Sequence, residues 1–243
     1  MNSDKFIQRS TDISLRSASS IAGIGLLLMT IIAPVVEFNV FKSLVVPGNA
    51  ESTVNNILNS IDVFRIGISL FLFVAILDII VAWALYVLLR PTNKSISLLA
   101  GWFRIIYAAI LALALNNLFN ILQLLSGTNN IILATDQLYV QVMLFFSAFR
   151  SGWNIGLAIF GIHLLLLGYL IVKSGYIPKW LGVLVAISGL GYTADSFISF
   201  LIPTCDIKIS IYTFIGEVLL MFWLLWKGIR GFDKKLVERI QEN

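Results

Sequence analysis

The sequence predicts an all-α, polytopic membrane protein, one bundle of six transmembrane helices with both termini cytoplasmic. Three observations carry that expectation. Hydrophobic residues make up 58% of the chain and charged residues only 12%, whereas a soluble domain carries about a quarter charged residues to cover its surface. The apolar residues fall in long blocks, and the mean hydropathy is +0.92. The lysines and arginines gather in short loops between these blocks, and they do so unevenly.

A helix needs about 20 apolar residues to cross the hydrocarbon core. Six segments qualify: 19–36 (SSIAGIGLLLMTIIAPVV), 66–89, 96–122, 152–172, 180–202 and 209–226. The last is the shortest, framed by Lys208 and Lys227. The first is expected to be a retained span and not a cleaved signal. Asp4 and Asp12 precede it, its apolar run is long, and no small-x-small cleavage site follows. The layout is then a cytoplasmic segment 1–18, a membrane domain 19–227 and a cytoplasmic tail 228–243. In that tail Leu236 and Ile240, four apart, suit a solvated or surface-lying helix.

Orientation follows from basic residues in the short loops. Of the 17 lysines and arginines, twelve lie on the side of both termini, including Arg16, Arg90, Lys94, Lys173, Lys179 and Lys227. Four lie opposite (Lys42, Arg65, Arg150 and Lys208), and Arg104 lies within a span. The twelve-residue side is expected to be cytoplasmic. Trp102, Trp153, Trp180 and Trp226 sit near span ends, as an interfacial belt requires. Two outer segments are amphipathic at helical spacing. One is 49–64, with Val54, Ile57, Leu58, Ile61 and Phe64 on one face; the other is 137–149, with Leu138, Val142, Phe145, Phe146 and Phe149. They read as interfacial helices or outward extensions of the next span, or as a lid over an outer cavity.

Composition also excludes. A net charge of +4 spread over loops is not the basic stripe of a nucleic-acid binder. One cysteine (Cys205) and one histidine (His163) cannot build a multi-cysteine or multi-histidine metal centre. No phosphate-binding glycine loop and no HExxH is present, so no cofactor or metal is expected. Ser188, Ser196 and Ser199 would have only His163 as a base, and an Asp78–Asp195 dyad lacks matching heights, so the reading leans away from an enzyme.

The hairpins resemble a known family. The stretches LYVLLRPTNKSISLLAGWFRI, GIHLLLLGYLIVKSGYIPKWLGVLVAISGLGY and GEVLLMFWLLWKG are similar to the bacterial integral membrane family designated domain of unknown function 4386. The resemblance covers about 20–231, and its most specific part holds Gly168, Tyr169, Ser174, Pro178 and Gly182. It implies a multi-pass protein of the bacterial plasma membrane and carries no activity or catalytic residue with it.

Function must therefore be sought among polar residues inside the spans, because a charge at the bilayer centre costs about 2.5–3.5 kcal/mol on insertion scales. Asp78 lies about 16 Å from the end of its span and Arg104 about 12 Å into the next, at 1.5 Å per residue. Consecutive antiparallel spans put them at similar height, so a structural ion pair is expected. His163 and Glu217 each lie ten residues before a lysine, about 15 Å deep, where they could share a proton. Asp195, with Tyr192, Thr193 and Ser196 beside it, Asn117 and Asn120 on one face of span three, and Asn154 at the start of span four enrich the outer half in polar groups. The leading reading is an outward-facing polar cavity, floored by His163 and Glu217 and lined by Asp195, Asn117, Asn120 and Asn154, that binds or passes a small polar solute. The alternatives are a non-catalytic structural or partner-binding subunit, whose amides only join helices, and an intramembrane enzyme. The expected partners are the lipid bilayer and a small polar ligand, with oligomeric state open.

Overall fold

A computed structural model describes residues 13–126, 134–202, 204 and 208–233. Lys5, Arg9, Cys205 and the Leu236–Ile240 tail fall outside them. Among the described residues every regular element is helical. Helix α1 runs Leu15–Val36 and continues through a π-helical stretch, Glu37–Phe41, into Lys42–Leu44. Then come α2 (Ala50–Asn59), α3 (Ile61–Leu89), α4 (Lys94–Leu125), α5 (Thr135–Ser174), α6 (Lys179–Leu201), α7 (Ser210–Thr213) and α8 (Ile215–Arg230). Six of these helical stretches are long and apolar enough to span a bilayer, α7 and α8 together forming the sixth. Large apolar side chains point outward along them, Leu113 at 74% exposed among them. That surface suits lipid and would aggregate in water.

The local sequence explains where the helices stop. Ser14 caps α1 by accepting the amide of Ser17, and Asn93 caps α4 by accepting that of Ile96. Pro91 has no amide to donate, so the α3 ladder ends with the Arg90 amide on the Tyr86 carbonyl. Gly175 closes α5 at φ +74°, a left-handed conformation that favours glycine. Pro34 withholds one backbone donor from α1, and the π-helical turns begin three residues later. The amphipathic segment 137–149 is the outward end of α5, which at 40 residues is about 60 Å long. Segment 49–64 is α2 plus the start of α3; Val54, Ile57 and Phe64 are buried, whereas Leu58 is 45% exposed.

The spans form a closed ring. Each packs on its chain neighbours, and α8 returns to α1. Ser19 donates to the Leu224 carbonyl at 2.9 Å, and Arg16 donates to the carbonyls of Gly228 (3.0 Å) and Ile229 (2.9 Å). The start of α1 and the end of α8 therefore share one end of the bundle, the basic end. Helices α5 and α6 approach closest. A Cβ on Gly168 would lie 2.5 Å from the Gly182 carbonyl oxygen, and one on Gly189 would lie 2.6 Å from that of Gly161. The two glycine pairs are seven residues apart on each helix, so they recur on the same face every two turns.

Candidate functional site

At mid-height α3, α4 and α5 bring three polar side chains together. Arg104 Nη2 lies 2.6 Å from Asp78 Oδ1, with both side chains 3% exposed. Arg104 Nη1 lies 3.3 Å from His163 Nε2, and His163 Nδ1 lies 2.8 Å from the Ala100 carbonyl. Guanidinium only donates, so Nε2 must accept; Nδ1 then carries the proton and donates to Ala100. Both ring nitrogens of His163 are thereby committed in a neutral ring. The guanidinium lies 5.3 Å from the Phe160 ring centroid, a cation–π distance.

Aromatic rings continue from this triad across the bundle. Phe160 packs on Tyr107 at 4.9 Å and edge-on to Tyr192 at 5.5 Å between centroids. The Tyr192 side chain of α6 lies beside the Glu217 carboxyl of α8, close enough to act on it electrostatically. Arg104 and Asp78 are near enough to act electrostatically on Glu217. Two polar atoms in this core are buried without a protein partner, Arg104 Nε and Glu217 Oε1. Glu217 stands three residues after a break in the sixth span at Phe214. There Ser188 takes up the Thr213 carbonyl.

A small cavity of about 10 Å³ adjoins the triad on its basic-end side, lined by His163, Ala100, Gly101, Ser97, Tyr86 and neighbouring leucines. That is room for about one water molecule. Toward the opposite end, Trp153 Nε1 donates to the Tyr107 hydroxyl at 3.4 Å. One turn farther out, Arg150 Nη1 reaches both Glu37 oxygens, at 2.8 and 2.9 Å. Phe146, Phe149 and Trp153 lie within 5.8 Å of that guanidinium.

The family model described as "Domain of unknown function (DUF4386)" matches residues 21–228. The chain belongs to the DUF4386 family. A relative from Archaeoglobus fulgidus, described as an uncharacterized protein, is 43% identical over 155 residues, which is 64% of this chain and 79% of the relative. This relative is archaeal, whereas the resemblance implied a bacterial family. No solved structure matches. DUF4386 membership brings the membrane-like helical bundle and no specific activity.

Within this DUF4386 chain the sequence-derived site residues separate into groups. Asp78 and Arg104 are in contact. His163 and Glu217 form no hydrogen bond with each other: the nitrogens of the former are taken by Arg104 and the Ala100 carbonyl, and the latter lies beside Tyr192. Asp195 is an internal cap. Its carboxylate accepts the Ile209 amide (2.7 Å), the Ser210 amide (2.9 Å) and the Ser210 hydroxyl (2.6 Å), which ties α6 to the start of α7. Asn117 donates to the Ala114 carbonyl of its own helix. Asn154 offers its backbone carbonyl to Ser196, and Asn120 is half-buried on α4. Tyr107 and Phe160 escaped the sequence reading. Each lies three residues from a charged or polar site residue, Tyr107 after Arg104 and Phe160 before His163, and that same-face spacing is the signal that could have found them.

Proposed function

We propose that the protein binds or passes a small polar solute in the core of its helix ring, in contact with Arg104 and Glu217. The observation that supports this most is the pair of buried, unpartnered atoms, Arg104 Nε and Glu217 Oε1. Lipid supplies no hydrogen bonds, so an unsatisfied polar group at this depth costs several kcal/mol. Native interiors satisfy such groups with water, an ion or a ligand. One unpartnered donor and one unpartnered acceptor suit a solute that presents both. The rings of Tyr107, Phe160 and Tyr192 supply the largely apolar wall that small-molecule sites use. Access is assigned to the end opposite the basic one, where Asn120 and Asn154 are only half-buried.

A second reading has its own support. The cavity beside His163 takes about one water, as a sealed structural or partner-binding subunit would have. Single cysteines separate the two. Placed at Asn117, Asn154, Asp195, His163 and Glu217 in a Cys205→Ser background, each is labelled with a membrane-impermeant thiol reagent from the outer side. The solute-binding reading expects labelling to reach position 217. Labelling that stops at Asn117 and Asn154 would favour the sealed subunit.

A further inference from the structure

The charges of the core do not balance. Asp78 and Arg104 neutralise each other as a contact pair. His163 is neutral in the arrangement that satisfies both of its nitrogens. Asp195 is covered by two amides and a hydroxyl. Glu217 is the remaining acid in the spans among the described residues, and no lysine or arginine forms an ion pair with it. Its surroundings are explicit. Helix α6 presents Tyr192 and, beyond it, Asp195; α4 presents Arg104 and Tyr107; α3 presents Asp78. Helix α1 contributes Arg16 only at the far basic end, where it is bonded to the α8 carbonyls. Arg104, the nearest cation among these, is already matched by Asp78 at 2.6 Å.

An ionised carboxylate in this position would be an uncompensated charge inside a bilayer, which proteins resolve with a proton, a counter-ion or a change of protonation. The turn at Phe214 keeps helical dihedral angles, and Ser188 takes up the Thr213 carbonyl there. Glu217 lies in the first turn after the break at Phe214, with Oε1 buried and unpartnered.

We infer that Glu217 is a site for one compensating positive charge, either a proton or a small monovalent cation, held between the Tyr192 side chain and the α7–α8 break. The inference rests on reading this core as the functional site. It replaces the expected His163–Glu217 proton pair with Glu217 acting beside Tyr192. The reaction is a binding equilibrium, carboxylate plus one monocation, with no covalent step beyond O–H formation when the cation is a proton.

The test is infrared difference spectroscopy of the full chain in lipid nanodiscs at neutral pH, comparing wild type with Glu217→Gln and with no solute added. A protonated-carboxyl band present in wild type and lost in Glu217→Gln assigns the charge to a proton. An ionised band that shifts when choline chloride is exchanged for sodium or ammonium chloride, and that vanishes in the variant, assigns it to a cation. A wild-type-minus-variant difference showing an ionised carboxylate indifferent to all these cations overturns the proposal. Should Glu217→Gln fail to fold, Tyr192→Phe supplies the assignment, because it removes the hydroxyl beside the carboxyl and shifts the Glu217 band without deleting it. An unshifted band in that variant also overturns the proposal. Since no solute is used, failure here leaves the solute reading to be judged by cysteine labelling alone.

Discussion

Replacing Asp78 by asparagine leaves the buried Arg104 guanidinium without its counter-charge at mid-membrane. Two unit charges about 4 Å apart attract by about 4 kcal/mol at an effective dielectric of 20. Removing one partner of a buried pair costs about 3–5 kcal/mol, because the other is stranded. Asparagine keeps the shape and one acceptor for Nη2, so a loss near the lower end, about 3 kcal/mol, is expected for Asp78→Asn. Arg104→Gln strands Asp78 and also deprives His163 Nε2 of its donor, and it should lose at least as much. The double variant strands no charge, so it should be little worse than either single one, giving a coupling of about 3 kcal/mol. The assay is thermal unfolding of all four proteins in the same detergent. At roughly 2–4 °C per kcal/mol for chains of this size, each single variant should melt about 6–12 °C below wild type. A double variant that falls by the sum of the two single losses would refute the claim that these residues act as one neutral unit.

Three glycines should respond with different signs. In Gly182→Ala the new Cβ would stand 2.7 Å from the Gly168 carbonyl oxygen and 2.9 Å from the Val172 amide. Both are backbone, so α5 and α6 must part, at about 1–3 kcal/mol; an unchanged melting temperature would contradict the close seam. Gly175→Ala meets open space but keeps φ at +74°, and should lose about 1–2 kcal/mol in chemical unfolding. Gly101→Ala has its nearest atoms at 3.9 Å and lies inside a helix, so it should gain about 0.5–1 kcal/mol. Tyr176, in the turn between α5 and α6, donates to the Leu88 carbonyl at 2.6 Å. Burial pushes its hydroxyl up to about 12, with the Thr92 contact acting in the opposite sense. The unfolded chain then ionises first, so this residue's contribution is complete below pH 10 and declines as pH rises toward 12. Tyr176→Phe should cost about 1 kcal/mol at neutral pH, and stability curves of the two proteins should converge above pH 10.

The membrane bundle was legible because lipid imposes a one-dimensional signature: apolar runs of fixed length, with cations between them. Each of the six long stretches overlaps one of those runs. Height within the membrane was legible too, at 1.5 Å per residue. It brought Asp78 level with Arg104, but it brought His163 level with Glu217 as well. Height leaves azimuth open, and azimuth decides partners. His163 faces α4, where Arg104 and the Ala100 carbonyl take both nitrogens, while Glu217 faces Tyr192 on α6. The interruption of the sixth span was hidden for a related reason. The segment around Phe214 has no proline, and the groups that accommodate the break, Asp195 and Ser188, are distant in sequence. Pro34, by contrast, marked its own irregularity, whereas Gly189 and Gly191 lie in an unbroken helix. Their role is packing, and a glycine's sequence context does not distinguish packing from bending.

The account centres on a non-protein polar group between Arg104 and Glu217. The most direct measurement is a crystal structure of the protein grown from a lipidic mesophase, at a resolution that shows ordered water. The account expects density that is not protein within hydrogen-bonding distance of Arg104 Nε or Glu217 Oε1. Finding both atoms bonded to protein groups, with no such density beside either, would contradict it.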